Sequence, residues 1–97
     1  MYDIKLTPES FDDLHCLKRV EQTEVLSGIK AQLSFEPTVE TRNRKRLRPN
    51  RLAEWELRIR EVRVFYDVDE RAGRVKVVAI GCKKGTRLFI RGEEYRL

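Results

Sequence analysis

Between Trp55 and Val68 the chain alternates charged and apolar residues. Glu56, Arg58 and Arg60 interleave with Trp55, Leu57 and Ile59, and Arg63 and Phe65 interleave with Val62, Val64 and Tyr66. Successive side chains of an extended chain point to opposite faces. Glu56, Arg58, Arg60, Arg63 and Phe65 are therefore expected on one face of a sheet, away from a core under the other. Lys83, Lys84 and Arg87 follow at the far end. Several cations around one carboxylate suit a phosphate. A guanidinium grips phosphate oxygens in bidentate geometry, and a carboxylate can accept a proton. A plainer use of the same residues is also open. Arg58 and Arg63 could pair with Glu56 and Asp67 across strands, and Lys83 and Lys84 could be a solvated pair.

Other catalytic chemistries find little support. His15 is the single histidine and falls inside the first helical pattern, where it reads as a surface residue. That excludes a two-histidine mechanism and a histidine metal cluster. Cys16 and Cys82 lie far apart, with neither metal spacing nor a disulfide framework. They are expected to be free thiols in a reducing cytosol. No metal and no cofactor are expected.

Charge is unevenly distributed. Residues 1–40 carry 4 basic and 8 acidic side chains, residues 41–51 carry 6 basic and none acidic, and residues 52–97 carry 11 and 8. The basic run holds Arg42, Arg44, Lys45, Arg46, Arg48 and Arg51. It reads as a loop that could grip a polyanion, or as a merely solvated loop.

The elements that position these residues follow from periodicity. Tyr2, Ile4 and Leu6 alternate with Asp3 and Lys5 as a short strand. Thr7 and Pro8 suit a helix start, and Phe11, Leu14, Leu17 and Val20 follow at helical spacing. A second helix is expected from about Glu21 to Ser34, with Val25, Leu26, Ile29 and Leu33 as its stripe and Pro37 beyond its end. The two should form an antiparallel hairpin, with Gly28 letting them approach. Thr38 to Asn50 is expected as loop. A β-meander follows, with Val75–Ile80 as a central strand covered on both faces and a last strand around Leu88 and Ile90. Tyr66 falls with the buried set. The expected architecture is α+β in the order β-α-α-β-β-β, with the helices on one face. The 97 residues are the size of one small domain, expected over 1–97. The N-terminus has no signal-peptide pattern, and no apolar run approaches the roughly 18–20 residues of a membrane span. A cytoplasmic location without a membrane partner is expected.

In this order the residues resemble the RelE/ParE superfamily of type II toxins. One stretch that carries the likeness is Ile4-Lys5-Leu6-Thr7-Pro8-Glu9 with the helix after it. The other is Trp55-Glu56-Leu57-Arg58-Ile59, a tight turn, then Val62-Arg63-Val64-Phe65-Tyr66. Val78-Ala79-Ile80-Gly81, the basic residues after it and Phe89 look like the family's last strand pair. The likeness spans about residues 2 to 91.

The resemblance implies a toxin held silent by a cognate antitoxin. RelE-like members enter the ribosomal A site and cut mRNA, whereas ParE-like members hold DNA gyrase without hydrolytic chemistry. A toxin fold that only binds its antitoxin is a third possibility. For RNA cleavage the resemblance places Arg58 and Arg63 as phosphate cations, Glu56 as base, and Lys83 at the phosphate or as acid. Lys84 and the basic run would contact RNA, and Phe89 would stack on a base. Glu56 stands where well-known RelE members have lysine, and Phe89 where many have tyrosine.

Overall fold

The computed structural model describes residues 1–97. Its elements are β1 (Asp3–Leu6), α1 (Pro8–His15), α2 (Arg19–Leu33), β2 (Arg44–Arg46), β3 (Trp55–Ile59), β4 (Val62–Asp69), β5 (Arg74–Lys84), β6 (Arg87–Ile90) and β7 (Glu93–Tyr95). The expected strand, two helices and antiparallel meander are present. Two short strands extend them: β2 at the start of the sheet path and β7 at its end. The strands run β2-β3-β4-β5-β6-β7, and β1 pairs in parallel with β5.

α1 begins as its first residues dictate. The Thr7 hydroxyl accepts the Ser10 N–H at 3.1 Å, and Pro8 needs no partner at the first helical position. α2 is started by the Glu21 carboxylate, which accepts the Lys18 N–H at 3.2 Å. Leu14, Val25, Ile29 and Leu33 face the sheet and are buried. Phe11, Val20 and Leu26 do not share that burial. α1 ends at His15, so Val20 lies on a new helix axis, and Phe11 turns outward against His15 with ring centroids 4.3 Å apart. Gly28 also serves a different approach from the expected one. A Cβ there would stand 2.6 Å from Ile59 Cδ1, so its smallness lets α2 approach β3 rather than α1.

The main core lies between helices and sheet. It joins Leu14, Val25, Ile29 and Leu33 to Trp55, Leu57, Val62, Val64, Tyr66, Val75, Val77 and Ile80. Tyr66 is fully buried, and its hydroxyl donates to the Pro37 carbonyl at 2.7 Å. Burial pushes the phenol well above the ordinary tyrosine range, against a smaller opposing pull from Arg44.

A second cluster covers the opposite face. Phe65, Ala79, Leu88, Ile90 and Ala53 are buried there, with Leu47, Leu52, Val78 and Tyr95 packed around them. The segment 47–53 folds over the sheet and closes this cluster. Phe65 thus points to the expected face but is fully buried under that segment. Burying a phenylalanine contributes about 1.5–3 kcal/mol. Two-sided cover explains why Val75–Ile80 is almost continuously apolar.

β5 carries a bulge that decides where its lysines point. Phe65 pairs with Ala79 and Tyr66 with Val77, which leaves Val78 as the extra residue. Val75, Val77 and Ile80 consequently share the helix-side core, while Ala79 joins the other cluster. One edge of β5 is paired in part by β1 and in part by β6. Side chains fill the gap between them. Ser10 Oγ donates to the Val77 carbonyl at 2.8 Å, and the Asp13 carboxylate accepts the Ile80 N–H at 3.1 Å. No helix is long and apolar enough to cross a membrane.

Candidate phosphate-binding groove

The β3–β4 hairpin sets the centre of the site. Arg58 pairs with Arg63, and Glu56 with Phe65. Glu56 is only 7% exposed and lies between the two arginines. Its Oε1 is 3.6 Å from Arg63 Nε and its Oε2 is 3.9 Å from Arg58 Nε. The carboxylate therefore offsets two like charges that the strand register forces side by side. Asp67 does not join this cluster. It accepts the Glu54 N–H at 2.8 Å.

The two arginines differ in freedom. Arg63 is held by its own hairpin, because its Nη1 donates to the Arg60 carbonyl at 2.6 Å and the Val62 carbonyl at 3.1 Å. Its Nε is buried without a hydrogen-bond partner. The Arg58 side chain is 45% exposed and has only the long contact to Glu56. Arg58 can therefore reach an incoming anion, while Arg63 presents a fixed charge behind it. Arg60 leaves the set. It takes a positive φ in the hairpin turn and pairs with Glu24 of α2 at 3.1 Å.

A groove of about 610 Å³ opens over this cluster. Lys45, Glu56, Arg58, Lys83, Arg87 and Arg96 line it, together with Leu88, Glu94 and Tyr95. β2 brings Lys45 opposite Glu56, and the bulge turns Lys83 to this face, opposite Leu88. Lys83 Nζ touches the Thr86 carbonyl at 3.5 Å. Arg87 is engaged by Glu94 at 2.8 Å. This bond raises the pKa of the arginine and lowers that of the carboxylate, the side-chain hydrogen bond being the first cause in both. The groove thus offers the Glu56 carboxylate, the accessible Arg58 with the fixed Arg63 behind it, the exposed Arg96, an Arg87 already engaged by Glu94, and two lysines. That set can bind a phosphodiester, accept a proton beside it and neutralise charge that develops on it.

Other expected contacts lie elsewhere. Arg44 is a correction to the phosphate-gripping set. It is 8% exposed, and its guanidinium donates to the Val39 carbonyl at 2.9 Å and to the Gln32 carbonyl and side chain at 2.8 and 3.0 Å. It ties β2 to α2. Arg46 lies 5.7 Å over the Trp55 ring and 3.6 Å from Glu54. Residues 44–46 form an edge strand rather than loop, so they divide between two faces. Arg42, Arg48 and Arg51 remain exposed. Lys84 and Phe89 are a second correction. They lie on the helix side of the sheet with Cys82, in a different groove bordered by Asp12, Cys16 and Leu17. Lys84 and Arg87 cap the Phe89 ring at 5.7 and 5.4 Å. Phe89 therefore cannot stack on a base held at Glu56 and Arg58. His15 stands on exposed helix surface, its Nδ1 2.9 Å from the Phe11 carbonyl.

Tyr95 and Arg96 also enter the groove. From the sequence Tyr95 is a tail residue that could supply a phenol, with no geometric reason to place it here, and Arg96 carries no signal. They arrive on β7 and just beyond it through a turn at Arg91 and Gly92, both with positive φ. That is the geometry of a tight hairpin of the twist-matched kind. The sequence signal was the Arg91-Gly92 pair itself, followed by Tyr95.

Comparison with protein-family models and with curated protein sequences gives no match. Among solved structures, the chain superposes on a chain of the RelBE2 toxin–antitoxin complex from Mycobacterium tuberculosis. The TM-score is 0.73, with 24% identity over 84% of this chain and 98% of that one. The protein therefore has the RelE-like α+β fold.

Proposed function

We propose that the chain is the toxin of a type II toxin–antitoxin pair that cleaves mRNA at the ribosome without a metal. The observation that carries this reading is Glu56 held between Arg58 and the fixed Arg63 behind it, where Glu56, Arg58 and Lys83 line one cationic groove. Cleavage by the 2′-hydroxyl needs a base for that hydroxyl, positive charge on the phosphorane and an acid for the leaving 5′-oxygen. Glu56 takes the hydroxyl proton. Arg58 holds a non-bridging phosphate oxygen, and Arg63 supports the charge from behind. The Lys83 ammonium gives a proton to the leaving 5′-oxygen as its P–O bond breaks, and solvent later returns one to Lys83 and removes the one on Glu56. Lys45, Arg48 and Arg51 hold RNA phosphates beside the groove without reading sequence. A cognate antitoxin silences the protein by covering this face, and both act in the cytoplasm.

The test is a pulse of expression in cells, followed by primer extension on a translated and an untranslated copy of one message. Cuts confined to the translated copy support the reading. Arrested growth without cuts replaces it with a gyrase-type binder. Normal growth without cuts leaves a fold that only binds its antitoxin.

A further inference from the structure

A second depression of about 600 Å³ lies beside the groove, lined by Pro49, Asn50, Arg51, Leu52, Tyr95 and Arg96 with Leu97. Tyr95 and Arg96 line both cavities, so the two are one trough with a half-buried tyrosine at the divide. The far wall is built rather than loose. Asn50 Oδ1 accepts the N–H groups of Leu52 and Ala53 at 2.7 and 3.0 Å, and its Nδ2 donates to the Arg48 and Ala53 carbonyls at 2.7 and 2.9 Å. Leu52 and Ala53 then pack on the cluster around Phe65, and Tyr95 packs on it from the β7 side. Both walls thus stand on the same buried support. At the position where base stacking was expected, Phe89 lies on the opposite side of the sheet, and Tyr95 is the aromatic residue lining this trough.

We propose that this second depression is a nucleotide subsite next to the scissile phosphate. Single-stranded RNA is held through alternating cations and aromatic platforms, because each nucleotide offers a charge and a π-face. Here the base beside the scissile phosphate stacks on Tyr95, and the next phosphate lies between Arg51 and Arg96. The inference rests on the nuclease reading of the neighbouring groove and adds a subsite to it.

The test is titration of the ¹⁵N-labelled full chain with a dinucleotide and with trinucleotides extended at either end. A 2′-O-methyl group at the scissile position prevents cleavage. The dinucleotide should shift amides at Glu56, Arg58 and Lys83. One trinucleotide should also shift Asn50, Arg51 and Tyr95, and bind about 5- to 160-fold more tightly, the range of one aromatic–base stack. Tyr95→Ala should remove that gain and Tyr95→Phe should keep it. Arg51→Ala, which leaves Tyr95 and the sheet untouched, should lower the salt slope of trinucleotide binding by about 0.7. Shifts confined to Glu56, Arg58 and Lys83, or an unchanged gain in Tyr95→Ala, would overturn the subsite and leave the nuclease reading standing. No shifts at Glu56, Arg58 or Lys83 with any oligonucleotide would overturn both.

Discussion

Replacing Asp13 tests how the sheet is held together where its strand pairing is interrupted. Asp13 is 7% exposed, and its two oxygens have different duties. Oδ2 accepts the buried Ile80 N–H at 3.1 Å, and Oδ1 meets Arg91 Nε at 2.9 Å. The Arg91 side chain is 39% exposed, so that ion pair is screened and contributes about 0–1 kcal/mol. Leaving a buried N–H without its acceptor costs about 1–3 kcal/mol. Asp13→Asn keeps an acceptor for Ile80 and loses only the charge, so it should cost no more than about 1 kcal/mol. Asp13→Ala loses both and should cost about 1–4 kcal/mol. At about 4–8 °C per kcal/mol for a domain of this size, the melting temperature should fall by about 4–32 °C for Ala, and by less than about 8 °C for Asn. The assay is thermal and urea unfolding of the three proteins, with hydrogen exchange at the Ile80 amide. Equal losses for Asn and Ala would show that the charge, not the acceptor, holds β5. A loss below about 0.5 kcal/mol for Ala would show that water replaces the carboxylate.

Further outcomes follow from other contacts. Gly81→Ala should destabilise the chain by about 1–3 kcal/mol, because its Cβ would stand 2.6 Å from the Phe89 carbonyl oxygen, which is backbone and cannot swing away. Gly28→Ala meets only the flexible end of Ile59 at that distance, so urea unfolding should show a much smaller change. The raised Tyr66 pKa makes stability depend on alkali. The unfolded phenol ionises near about pH 10 while the folded one keeps its proton, so stability should be full below that pH and fall above it. Tyr66→Phe should lose about 1 kcal/mol with the Pro37 hydrogen bond and flatten the alkaline fall in pH-dependent unfolding. Burial, and then Glu21, raise the pKa of the half-buried Cys82 thiol. Iodoacetamide at neutral pH should therefore label exposed Cys16 first, as read by peptide mass, and faster labelling of Cys82 would contradict that placement.

The legible parts of the fold are those with an unbroken period. Trp55–Ile59 and Val62–Val68 alternate without interruption, so the hairpin and the shared face of Glu56, Arg58 and Arg63 can be read from the alternation alone. The period fails at Val78, where the bulge reverses the faces after it. Counting on from Val75 by twos puts Lys83 under the helices, whereas it lines the groove. Phe89 illustrates the same loss, since its face depends on pairing with Cys82 beyond the bulge. Arg44 was unreadable for another reason. A three-residue edge strand carries no period, and the guanidinium is turned inward by the carbonyls of Val39, five residues back, and of Gln32 on α2, a pairing that no local pattern announces. β7 depends on a turn that places Arg91 at positive φ, which is uncommon for a long side chain and gives a weak signal.

The central claim is that Glu56, Arg58 and Arg63 do chemistry as a unit, and single-turnover cleavage of an mRNA on programmed ribosomes tests it most directly. The wild-type chain should cut in the A site and leave a 2′,3′-cyclic phosphate. Glu56→Gln and Arg58→Ala, checked as folded by circular dichroism, should each slow the cut by about 10²- to 10⁴-fold. An intact message with the wild-type chain, or variants that cut at the wild-type rate, would contradict the account.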